Sequence, residues 1–213
     1  MKIVVTNRIS TEVKVTGLPE AGRVAAGTTR KFVCQPYILR GRDGAGHDVA
    51  AELRRLEEKG DIYFEIELDK FDVGLIGKKV VRVTTAMMVA KGAVVTANFD
   101  SDDAFPTHAR LLFAHGDVKA LFANSDAGYA AGTALMDFGT DTGGEGESFL
   151  SDIDVEVGSG AVGEVREANA GNYSGFPVGG KKLRVGITNS AAGATFAETT
   201  AGEVWGIAYY TVG

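Results

Sequence analysis

Hydrophobic and polar positions alternate along most of this chain, and the period of the alternation changes once. Residues 2–6, with Ile3 and Val5, and residues 12–16, with Val13 and Val15, repeat every second position on either side of polar Asn7, Arg8 and Ser10, which predicts a hairpin. GLPEAGRVAAGTT then marks turns, and RKFVCQPYIL reads as a third strand with Pro36 near its end or on a sheet edge. From Asp48 to Lys59 the pattern is helical: Val49, Leu53 and Leu56 share a face, Asp48 is placed to cap the start, and Gly60 stands where a left-handed cap ends a helix. Immediately afterwards DIYFEIELD alternates strictly, with Ile62, Phe64, Ile66 and Leu68 on one side and Tyr63, Glu65, Glu67 and Asp69 on the other, a strand with one wet face. The helix is expected to cover the apolar face of this β-β-β-α-β module.

Glycines and lysines break the pattern in FDVGLIGKK, which sets the expected boundary between a small α+β module, residues 1–77, and a second region, residues 78–213. Beyond it no helical period is visible. VVRVTTAMMV, AVVTANF, ARLLFAH, TALMDFG, FLSDIDVEV, LRVGITN and EVWGIAYYTV read as strands between Gly, Asp, Asn and Ser clusters, while GDVKALFANS reads equally as a helical turn or a strand. That many strands in that length is the size of an antiparallel β-sandwich, the jelly roll included, so the expected fold class is mainly β. No fixed repeat points to a solenoid or propeller.

Composition narrows the function classes. The 213 residues carry 29 glycines and four prolines, which favours tight turns, and a net charge of −6, which argues against tracking phosphates and against nucleic acid as a direct partner. Cys34 is the single cysteine, so no intrachain disulfide forms, and its neighbours Phe32 and Val33 predict a small buried thiol. MKIVVTNRIS lacks the parts of a signal peptide, and no run approaches the roughly 18 apolar residues that span a bilayer. Synthesis and folding in a cytoplasm, with no membrane partner, is the expectation.

Candidate chemistry is thin. Of the three histidines, His108 and His115 flank a strand with an odd spacing that sets them on opposite faces, and His47 stands alone in sequence, so neither shared metal ligation nor a Cys34–His pair is expected. No Gly-x-Ser-x-Gly elbow occurs; GSG at 158–160 reads as a turn, and GRDGAG at 41–46 lacks the Gly-Lys-Ser/Thr ending of a phosphate loop. DSDD at 100–103 and GTDTGGEGES at 139–148 offer oxygen ligands without the calcium-loop pattern. FLSDIDVEV would place Asp152, Asp154 and Glu156 on one strand face, a carboxylate stripe that serves either hydrolysis of a glycoside or simple solvation, and solvation is the expected role. No catalytic residue, metal or cofactor is assigned. In the closing strand Val204, Gly206, Ala208 and Tyr210 share one face and Trp205, Ile207 and Tyr209 the other, so the strand lies between layers or offers one side to another subunit.

VTNRISTEVKVTGLPEAGRVAAGTTRKF and AAELRRLEEKGDIYFEIE resemble the small β-rich modules that open tailed-bacteriophage virion proteins. VVRVTTAMMVAKGAVVTANFD and KKLRVGITNSAAGATFAETTAGEVWGIAYYTVG resemble the jelly-roll sandwiches of phage head decoration, or cement, proteins. The resemblance implies a non-enzymatic homo-oligomer, a trimer first of all, that braces a capsid by binding the major capsid protein or other virion proteins, located on the capsid surface after synthesis in the host bacterium. On that reading Arg8, Arg23 and Arg30 meet an acidic shell, and Trp205, Ile207 and Tyr209 mediate self-association. A tail, neck or fibre-attachment protein, and a carbohydrate-binding module or glycosidase, are the alternatives.

Overall fold

The computed structural model describes residues 1–39, 48–69, 72–124, 134–141, 148–157, 160–165, 175–189 and 195–213. Of these, 53% lie in strands, so the chain is mainly β. It divides into two compact units, Met1–Lys78 with Thr211–Gly213, and Lys79–Tyr210.

In the first unit β1 (Lys2–Asn7) is flanked by β4 (Thr29–Val33) and β5 (Ile62–Glu67), both antiparallel to it, and the first residues of β6 (Gly77–Thr84) join β5 through the pair Ile66 and Lys78. The short strands β2 (Val13–Lys14) and β3 (Arg23–Val24) pair with each other. The hairpin expected between the first two strands therefore does not form, and Asn7 supplies the reason. Its buried side chain donates to the carbonyls of Thr11 at 2.7 Å, Val24 at 2.9 Å and Ala25 at 3.1 Å, and accepts from the Ile9 N–H at 3.0 Å. One amide thus satisfies backbone groups that a loop would otherwise leave buried and unpaired, and it steers the chain away from β1. The expected third strand is also shorter, since β4 stops at Val33 and Pro36–Leu39 forms a 3-10 turn.

Helix α1 (Val49–Glu58) matches its sequence signals. The Asp48 carboxylate accepts from the Ala51 N–H at 2.9 Å, Gly60 takes φ +78°, and Val49, Leu53 and Leu56 are buried. These three pack with Ile3, Val5, Phe32, Ile62 and Phe64 in one core, so the helix does cover the sheet's apolar face.

Among the described residues the second unit holds eight strands: the rest of β6, β7 (Thr96–Asp100), β8 (Ala109–Asn124), β9 (Ala134–Thr140), β10 (Ser148–Asp154), β11 (Gly163–Val165), β12 (Leu183–Asn189) and β13 (Thr199–Val212). They form two sheets, ordered β11-β8-β13-β6 and β10-β9-β12-β7. First neighbours last, second neighbours seventh, third neighbours sixth and fourth neighbours fifth, the order of a long hairpin wound upon itself, which is jelly-roll connectivity. The segment 116–124 continues β8, which settles the ambiguity of GDVKALFANS in favour of strand.

A helix was missed. The run read as one strand over 80–89 is cut at Thr84, and α2 (Thr85–Lys91) follows, with the Thr84 hydroxyl accepting from the Met87 N–H at 3.4 Å. Two turns that bury a single side chain, Met88, leave no period to read. Among the described residues no helix is long and apolar enough to cross a membrane.

Candidate functional site

Several of the side chains singled out for chemistry are engaged in holding the fold. Asp100 sits on β7 opposite Arg184 on β12, and the guanidinium donates to both carboxylate oxygens, at 2.6 and 3.0 Å. The Asp103 carbonyl accepts from Lys79 at 2.9 Å and from the Ser101 hydroxyl at 2.8 Å, and Asp102 is exposed. Within DSDD the Asp100 carboxylate is held by Arg184, and Asp103 takes part through its backbone carbonyl. Among the described residues no three His, Cys, Asp or Glu side chains are placed to share a metal. Most of GTDTGGEGES, GRDGAG, His47 and part of GSG lie outside the described residues.

The Arg184 hydrogen bond holds the Asp100 carboxyl below the usual carboxylate range, against the opposing effect of partial burial. Because the folded pKa is depressed, this pair stabilises the protein above the unfolded carboxylate pKa, about 4, and the contribution disappears as pH falls through the folded value. With both partners partly exposed, the contribution is expected to be under about 1 kcal/mol. Arg184→Gln should lower the urea midpoint near neutral pH and have a smaller effect near about pH 3. An undiminished effect in acid would contradict the ion pair.

The acidic stripe does not exist as such. β10 shifts register against β9 between Leu150 and Ile153, and Asp152 takes φ +55°, so the strict alternation is broken. Asp152 is exposed, Asp154 half-buried, and Glu156 fully buried with its carboxylate accepting from the Ala134 N–H at 2.7 Å. Glu156 pins the start of β9, and the three acids do not form a glycosidase pair on one face.

The histidines also separate. His108 is exposed at φ +66° in the turn before β8, whereas His115 is buried in a row of rings with Phe113 at 5.2 Å and Tyr209 at 6.1 Å. Cys34 lies in the first unit, where burial pushes its thiol up, and its Sγ donates to the Phe32 carbonyl at 3.5 Å. A protonated thiol is a poor nucleophile. An open groove of about 410 Å³ beside α1 is lined by Thr16, Asp48, Ala51, Glu52 and Arg55. Its charged groups are engaged, Asp48 as the helix cap and Glu52 with Arg55 at 2.8 and 2.9 Å.

Among the residues expected at interfaces, Trp205 and Ile207 are buried within the chain, at 1% and 5% exposure. This corrects their assignment to self-association. β13 is an inner strand of its sheet, between β8 and β6, and Val204 on one of its faces and Trp205 on the other are both buried. Tyr209 is half-buried, 6.0 Å from the Phe113 ring. The arginines are placed differently. Arg8 is half-buried, and its backbone N–H donates to the Asp61 carbonyl at 2.9 Å. Arg23 and Arg30 come together, with the Arg30 guanidinium donating to the Arg23 carbonyl at 2.9 Å, but Glu12 pairs with Arg23 and Glu20 with Arg30. The expected basic patch is a mixed-charge surface.

Apolar side chains also reach solvent, and several border sheet edges. Val33 stands on β4, Val94 and Val95 immediately precede β7, Val157 lies just past β10, and Val162 precedes β11; all are exposed. β4, β7, β10 and β11 are the terminal strands of their sheets. Edge status depends on strand order, which local alternation does not encode, so the sequence carried no signal for these residues. No family model, curated protein or solved structure matches the chain.

Proposed function

We propose that this chain is a non-enzymatic virion structural protein that binds and braces a bacteriophage capsid, as a head decoration or cement protein does. The observation that supports the reading is that exposed valines lie in or next to terminal strands, Val33 within β4 itself. Such a surface suits attachment by strand addition and apolar contact, and repetition on a lattice turns individually weak contacts into firm binding. The acids of the closest thing to a catalytic arrangement, Asp152, Asp154 and Glu156, diverge, and Glu156 is fully buried, which weighs toward binding.

The test is cosedimentation of the purified chain with heads and, separately, with tails of a phage whose genome encodes it. Saturation at a fixed number of copies per head is expected. Saturation on tails alone would move the protein to the tail, and no binding to either would overturn the reading.

A further inference from the structure

We infer that β7 is a pairing edge for a second copy of this chain, held shut by the ammonium group of Lys91. The guard stands whether or not the chain binds a capsid.

The other strands that end the two larger sheets carry their own protection against pairing. β4 has Lys31 at its centre, β10 is broken by register shifts and by Asp152 at φ +55°, and β11 is three residues long. β7 has none of these. Its five residues keep an unbroken register with β12 and carry no charge before Asp100. The Ser101 N–H donates to the Leu183 carbonyl at 2.8 Å and the Asn189 N–H to the Val95 carbonyl at 2.7 Å. In that register the backbone groups of Ala97 and Phe99 face β12, and those of Thr96, Asn98 and Asp100 face away from it, where β7 ends the strand order among the described residues. All three of these residues are exposed.

The protection comes instead from α2. Met88 is buried, and the Gly92 and Val94 carbonyls accept from the Ala197 and Phe196 N–H groups at 2.9 and 3.1 Å, so the end of the helix is anchored. Lys91, the last helical residue, reaches from there to the middle of the edge. Its Nζ donates to the Asn98 carbonyl at 3.4 Å and lies 5.0 Å from the centre of the Phe99 ring. An ammonium on the central outward carbonyl excludes the N–H that an incoming strand would bring to it. The bond is long, so the hold is weak.

A second β7 is the strand that this edge fits. An antiparallel pair centred on Asn98 sets Asn98 against its own counterpart, Thr96 against Asp100, and Ala97 against Phe99. Amide then meets amide, no like charges lie opposite each other, and the buried side chains Ala97 and Phe99 continue one sheet's inner face into the other's. The product is a two-fold dimer that joins two four-stranded sheets edge to edge.

The test is sedimentation velocity over a concentration series. Lys91→Ala should strengthen self-association about tenfold over the wild-type chain, whereas Lys91→Arg, which keeps the charge, should leave it unchanged. Adding Asn98→Pro to Lys91→Ala removes an outward N–H that an edge strand can spare and should return the mass to the wild-type value. Adding Asn98→Lys instead sets like charges opposite each other at the centre and should do the same without altering the backbone. Association by Lys91→Ala no stronger than that of the wild-type chain, or association that survives Asn98→Lys, would overturn the proposal. A wild-type dimer that Asn98→Lys dissolves would overturn it too, because the edge would then be open with its lysine in place.

Discussion

Glu57→Ala is expected to destabilise the first unit by about 3–5 kcal/mol, because it strips a buried ammonium of its carboxylate. Lys78 is the first residue of β6 to pair with β5, and its side chain is 2% exposed. Its Nζ donates to both Glu57 oxygens, at 2.6 and 2.7 Å, and lies 4.0 Å from the centre of the Phe64 ring. Glu57 also accepts from the Phe64 N–H at 3.3 Å, so one carboxylate joins the end of α1 to two strands. Attraction in such a site roughly balances the cost of removing two charges from water, whereas the ammonium left behind loses that attraction and keeps its cost of burial. Adding Lys78→Met to Glu57→Ala should therefore restore most of the loss in urea unfolding. Additive losses would show that the two side chains do not act as a pair.

Gly206→Val is expected to cost about 3 kcal/mol in the second unit, through overpacking between its sheets. A Cβ at this position of β13 would lie 2.3 Å from the Phe138 ring and 2.7 Å from a Val185 methyl, both on the facing sheet. Phe138 and Val185 are fully buried, and Phe138 is held edge-on against Phe149 at 5.6 Å, so neither has room to withdraw. Phe138→Ala alone leaves a cavity that costs about 3–5 kcal/mol. The double variant should lose less than the sum, because the valine fills part of the space that the ring vacates. Strict additivity would contradict the face-to-face packing of the two sheets.

These two contacts mark the limit of what could be read from the sequence. α1 was legible because its cap, apolar face and stop all lie within thirteen residues, Asp48 to Gly60. β5 was legible because its alternation is local, and the sandwich because turn residues punctuate its strands. Pairing was not. Asn7 looks like an ordinary turn residue until the carbonyls of Val24 and Ala25 are brought to it, and the partnership of Glu57 with Lys78 spans 21 positions. α2 leaves no period in the sequence because it buries one side chain. The acidic stripe failed at Asp152, where a register shift turns the rest of β10 out of alternation. Of the candidate contact residues, Trp205 and Ile207 were misplaced because bulk on both faces of a strand fits an inner strand as well as an interface. Arg23 and Arg30 lost their expected charge to Glu12 and Glu20, which belong to neighbouring turns.

If the chain braces a capsid as proposed, genome release measures that bracing directly. Heads purified without the chain would be heated with a DNA-binding dye, alone and after saturation with the purified chain. Release at a clearly higher temperature in the presence of the wild-type chain is the expected result. An unchanged release temperature at full occupancy would contradict the claim.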